Sequence, residues 1–200
     1  MKVTITRLYD DYAAARSAVM DLEAADLPTE DISLIASNAS NWYDGKPGKT
    51  KHDSDGNGVD DRVEGAEMGA GIGAVLAGGA GLLAGLGVMA IPGLGPVVAA
   101  GWLASTGLGA VAGAAAGGIV GALTQAGVSE QEAAVYAEGV RRGGTLLSAR
   151  VPAEDRVRYE AILDHSAVDI NGRRQVYLNA GWNGYDPLAT VEGTRHGPVK

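Results

Sequence analysis

From Met68 to Ser129 the chain carries no Asp, Glu, Lys, Arg or His. The stretch is built mainly from Gly, Ala, Leu and Val, and Ile91-Pro-Gly-Leu-Gly-Pro96 interrupts it near the middle. A surface helix needs a polar side to face water, and this segment offers none. It has to pack against copies of itself, against other protein or against lipid.

Small residues recur every four positions in both halves of the stretch. The first row is Gly69, Gly73, Ala77, Gly81 and Gly85; the second is Gly101, Ser105, Gly109, Gly113, Gly117 and Gly121. Residues four apart share one helix face. The spacing therefore predicts an α-helical hairpin over 65–127 whose glycine grooves allow close backbone approach. Glycine weakens a helix by about 0.8–1 kcal/mol relative to alanine, so such arms need packing to hold them. At about 1.5 Å per residue either arm is long enough for a hydrocarbon core of about 30 Å. Against a spanning hairpin stand the acidic flank Asp60-Asp-Arg-Val-Glu64 and a single interfacial aromatic, Trp102. Homo-oligomer assembly through Gly69, Gly73, Gly81, Gly85, Gly101, Gly109, Gly113, Gly117 and Gly121 is the leading expectation. An integral membrane hairpin in contact with lipid is one alternative, and a calcium-responsive switch through an EF-hand-like loop at 53–64 is another.

The flanking segments read as ordinary α+β structure. Val3, Ile5 and Leu8 alternate with threonines as in a strand, and Asp10 or Asp11 can cap a helix carrying Ala15, Val19 and Leu22. Ile32–Ser37 reads as a second strand. After the charge-free stretch, Ser129-Glu-Gln-Glu132 looks like a helix start, and Gly143-Gly144 stops that helix after Arg142. Thr145–Val151 reads as a third strand. Pro152 opens a helix with Tyr159, Ile162 and Leu163 at helical spacing, and Ala167–Ile170 reads as a short fourth strand. This order fits a ferredoxin-like sandwich with the hairpin inserted between strands 2 and 3. The expected divisions are a first β-α-β half at 1–38, an acidic linker at 39–64, the hairpin at 65–127, the second half at 128–171 and an extended tail at 172–200.

The acidic linker matches a calcium-loop spacing, D-x-D-x-[DN]-G-x5-E, from Asp53 to Glu64. Asp53, Asp55 and Asn57 would supply side-chain oxygens, Val59 its carbonyl, Asp61 a direct or water-mediated contact, and Glu64 a bidentate carboxylate to Ca2+. Asp60 stands where such loops usually place an apolar residue, and no plausible helix precedes Asp53. A plain acidic linker that keeps a sticky hairpin in solution is the competing reading.

Other functions find little support. The net charge of −8 disfavours nucleic acid, because phosphate contacts need clustered Lys and Arg. No cysteine is present, which removes disulfides and thiolate metal sites. His52, His165 and His196 lack partner spacing, and the GxGxx(G/A) matches lie within the glycine rows rather than at a strand-to-helix turn. The expectation is a non-enzymatic protein. The amino-terminal alternation lacks the apolar run of a signal peptide, which points to the cytoplasm, with membrane association as the open addition.

Leu82-Leu-Ala-Gly-Leu-Gly87, Ala90-Ile-Pro-Gly-Leu-Gly-Pro-Val-Val-Ala-Ala-Gly-Trp-Leu-Ala104 and Tyr136-Ala-Glu-Gly-Val-Arg-Arg-Gly-Gly-Thr145 together resemble a bacterial family. It is the general stress protein family with a heat-induced stress protein domain. The resemblance spans residues 1–172. It implies a stress-associated, non-enzymatic protein and supplies no catalytic residues or calcium ligands.

Overall fold

The computed structural model describes residues 1–40, 42–43, 87–91, 94–103 and 118–186. Five strands form one antiparallel sheet: β1 (Lys2–Tyr9), β2 (Ile32–Ser37), β3 (Gly87–Ile91), β4 (Gly95–Gly101) and β5 (Thr145–Pro152). Their order across the sheet is β1-β5-β2-β4-β3. Strand β5 pairs antiparallel with both β1 and β2, so β1 and β2 run parallel with β5 between them. Among the described residues the α-helices are α1 (Tyr12–Ala24), α2 (Gly118–Gln125), α3 (Glu130–Arg141), α4 (Arg156–Asp164) and α5 (Ile170–Asn179).

Side-chain caps fix the starts of α1 and α3. The Asp11 carboxylate accepts from the Ala14 N–H and starts α1. Ser129 and Glu132 form a reciprocal cap on α3: the Ser129 hydroxyl accepts from the Glu132 N–H and donates to its carboxylate. This differs from a capping box in one respect, since the Glu132 contact is to the hydroxyl rather than to the backbone N–H.

Helices cover both faces of the sheet. Ile5, Ile32, Leu34, Leu147, Ala149 and Val151 face Ala15, Val19 and Leu22 of α1 and Tyr159 and Leu163 of α4. Alternate residues Leu8, Ile35, Val97, Ala99 and Leu146 face Ile119 and Leu123 of α2 and Ala133, Tyr136 and Val140 of α3. All six residues of β2 are buried, as expected for a central strand covered on two sides.

Three expectations need correction. The helical hairpin over 65–127 does not hold at its centre, where residues 87–91 and 95–101 form the β3–β4 pair at one edge of the sheet. Val88, Val97 and Val98 are β-branched, and the intervening sequence Pro92-Gly93-Leu94 carries turn residues, a combination that favours a β-hairpin. The proposed strand at Ala167–Ile170 is also absent. Val168 makes one backbone bond to the Leu8 carbonyl at 2.8 Å, and then Asp169 caps α5 by accepting from the Asn171 and Gly172 N–H groups. Residues 172–179, expected in an extended tail, belong to α5, which continues to Asn179; residues 187–200 lie outside the described residues.

Candidate functional site

The charge-free stretch is the feature most in need of a functional account, and its described parts are built into the fold. Strand β4 lies between β2 and β3, with Val97, Val98, Ala99 and Ala100 buried. Leu103, Ile119 and Leu123 enter the same core cluster beneath α3. Leu103 and Ile119 thus anchor both ends of residues 104–117, and residues before Gly87 lead directly into β3.

A tight junction fixes the exit from β4. Gly101 has φ +87°, and a Cβ there would lie 2.1 Å from the Ile32 carbonyl oxygen and 2.7 Å from Ser33 Cα. Only glycine tolerates both the backbone angle and the approach. The buried Ser33 hydroxyl donates to the Ala100 carbonyl at 2.9 Å and accepts from the Leu103 N–H at 3.3 Å, tying the turn to β2. Beside it, the Arg150 guanidinium sits 5.0 Å from the Trp102 ring centre. Arg150 Nε lies 3.1 Å from a carboxylate oxygen of Asp31, while Arg150 Nη2 donates to the Glu30 carbonyl at 2.8 Å. Asp31 is almost fully buried and also pairs with Lys2. Charge on both cations offsets the cost of burying that carboxylate.

The end of α3 carries a second charged cluster. Arg141 forms a two-pronged contact with Glu138, both distances 2.7 Å, and Arg142 Nε reaches Glu138 at 2.5 Å. The Arg142 guanidinium lies over the Tyr177 ring at 4.5 Å and so joins α3 to α5. At the other end of α3, a groove of about 300 Å³ is lined by Ser129, Gln131, Glu132, Val135, Ile170, Asn171 and Arg174. Ser129 and Glu132 are already engaged in helix capping there.

Of the residues assigned to glycine packing, Gly101 ends a strand and Gly121 lies in α2, so they do not continue one helical row. Gly69, Gly73, Gly81, Gly85, Gly109, Gly113 and Gly117 lie outside the described residues, as do the calcium-loop residues Asp53, Asp55, Asn57, Val59, Asp61 and Glu64. Among the described residues, no group of three His, Cys, Asp or Glu side chains is placed to hold a metal. Among the same residues, no helix is long and apolar enough to cross a membrane. The Asp31–Arg150–Trp102 junction escaped sequence reading because its members are distant in the chain. The Glu138 cluster had a local signal, cations three and four residues after an acid on a helix.

Buried tyrosines make the scaffold sensitive to alkali. The Tyr136 hydroxyl donates to the Thr6 carbonyl at 2.9 Å, and burial pushes its pKa from 10.0 up to about 12. Tyr185 is likewise raised from 10.0 to about 12, chiefly by burial, and Tyr9 is raised further for the same reason. A folded-state pKa above the unfolded value favours folding fully below pH 10.0, and that contribution is lost as pH rises through about 12. Ultraviolet titration should therefore show a late tyrosine fraction that ionises together with loss of circular dichroism. A single tyrosine step near pH 10.0 with the fold intact would contradict this.

No protein-family model matches the chain, and no curated protein or solved structure matches it either.

Proposed function

We propose that this chain is a non-enzymatic, stress-associated structural protein that self-assembles through its charge-free segment, with the sheet domain as scaffold. The observation that carries the reading is the anchoring of that segment. Leu103 and Ile119 share one core cluster, so the uncharged residues 104–117 leave from and return to the scaffold. Residues 68–86 connect directly to the edge strand β3. Neither stretch carries a charge to turn toward water, and packing between copies supplies the missing cover. The stress association rests on the family resemblance alone.

The scaffold is proposed to be a ferredoxin-like variant. In support, β1, α1 and β2 form a parallel pair split by β5, and α4 returns to the face that α1 covers. The Val168–Leu8 bond stands where a fourth strand would pair with β1.

Sedimentation of protein purified without detergent tests the assembly. The expected result is a species heavier than the 20.3 kDa monomer, shifted toward the monomer by combined Gly109→Leu, Gly113→Leu and Gly117→Leu. A monomeric wild type rejects self-assembly, and an unchanged mass in the triple variant rejects assembly through residues 104–117.

A further inference from the structure

We infer that two copies of the chain join antiparallel along the outer edge of β3, centred on Met89, so that the two sheets become one. This rests on the self-assembly reading above and names the surface through which it begins.

The two edges of the sheet are treated differently. At the β1 edge, Lys2 and Arg7 place charges along the strand, and Arg7 pairs with Asp164. The Leu8 carbonyl accepts from the Val168 N–H at 2.8 Å, a bond made outside the β1–β5 ladder. Charges and foreign hydrogen bonds of this kind block edge-to-edge pairing. Strand β3 is the other edge, paired only with β4 among the described residues. Its sequence, Gly87-Val-Met-Ala-Ile91, contains neither charge nor proline. Those are the features that normally prevent an edge strand from templating another.

The register follows from the partner strand. Ala90 lies opposite Pro96, which has no N–H to exchange with it. That pair is therefore a non-hydrogen-bonded one, and the backbone groups of Ala90 and of Val88, two residues earlier, point away from β4. Around a twofold axis at Met89, Val88 of each copy then meets Ala90 of the other, and both pairs exchange backbone hydrogen bonds. The two Met89 residues face one another across the axis. A second copy fits this edge better than the residues that precede it in the chain. Those residues, 68–86, are rich in glycine and alanine, which are poor strand formers.

Native cysteines are absent, so single-cysteine variants report the register cleanly. Met89→Cys should give a disulfide-linked dimer on mild oxidation, because facing residues of a non-hydrogen-bonded antiparallel pair suit a disulfide. Lys2→Cys, on the guarded edge, should remain uncrosslinked. Met89→Lys should lower the sedimenting mass while keeping the folded circular dichroism spectrum. If Met89→Cys fails to fold, mixed Val88→Cys and Ala90→Cys protomers test the same register by forming the heterodimeric crosslink. An oligomeric wild type with no crosslink and no effect of Met89→Lys overturns edge pairing and leaves self-assembly standing. Equal crosslinking at Lys2→Cys also overturns it. A monomeric wild type rejects both readings.

Discussion

Gly101→Ala should destabilise the folded chain by about 3 kcal/mol or more, a loss large enough to threaten a domain of ordinary stability. Two effects combine at this position. The left-handed φ of +87° disfavours a Cβ by about 1–2 kcal/mol. The added methyl also meets the Ile32 carbonyl oxygen at 2.1 Å and Ser33 Cα at 2.7 Å. Both atoms are backbone of β2, which is paired on one side with β5 and on the other with β4. They cannot retreat without opening the sheet. Gly127 supplies the control: its φ is +92°, but nothing lies within 4 Å of the point its methyl would occupy. Gly127→Ala should therefore show only the backbone contribution, about 1–2 kcal/mol. Urea unfolding midpoints of the two variants give the comparison directly.

The sign of the Gly101 result separates two structures for the same sequence. In a glycine-lined helix, alanine would strengthen the element by about 0.8–1 kcal/mol, whatever it did to assembly. At a strand exit against the β2 backbone, alanine weakens the fold. A stable Gly101→Ala variant would sink the strand assignment and restore the helical row through Gly101.

Much of the scaffold was legible because its signals are local. Asp11 and Ser129 announce helix starts, Val3 and Ile5 alternate with threonines, and Gly143-Gly144 closes α3. The charge-free stretch misleads for a physical reason. Glycine and alanine carry almost no amphipathic pattern, so a four-residue spacing among them is weak evidence for a helix. The β-branched Val97 and Val98 were the better guide to β4. Helix α5 was hidden because Tyr177 is its only buried residue, leaving no apolar stripe to read. Coverage of the second sheet face was partly visible in Ile32-Ser-Leu-Ile-Ala-Ser37, whose serines are small enough for a buried strand. Ser33 is accommodated there by its bonds to Ala100 and Leu103, a pairing across the sheet that local sequence cannot reveal. The same limit hid Asp31, Arg150 and Trp102. None of the three has a sequence neighbour that announces the others.

Glu138→Ala should lower stability by about 2–3 kcal/mol and loosen α5 from α3. The Glu138 side chain is 1% exposed, whereas Arg141 and Arg142 are 28% and 34% exposed. Removing the carboxylate leaves two cations without their shared partner at the carboxy-terminal turn of α3, one of them, Arg142, over Tyr177. Their partial access to water limits the penalty, which is why the expected loss lies below that of a fully buried ion pair. Glu138→Gln should lose less, because the amide oxygen still accepts from a guanidinium. The structural consequence should concentrate at α5. That helix buries only Tyr177, and Arg142 stacks on the same ring, so the arginine must stay in place for the helix to keep its main contact. Hydrogen exchange at residues 170–182 should therefore accelerate more than exchange in β5, where the central sheet bonds are untouched. A double-mutant cycle with Arg142→Ala distinguishes positioning of Arg142 from a general charge effect. Strong coupling, with the second substitution adding little, is expected if Glu138 acts by holding Arg142 over Tyr177. Additive losses, or unchanged exchange in α5, would show that the carboxylate stabilises α3 alone and that α5 is held chiefly by its Asp169 cap and the Arg173–Asp10 pair.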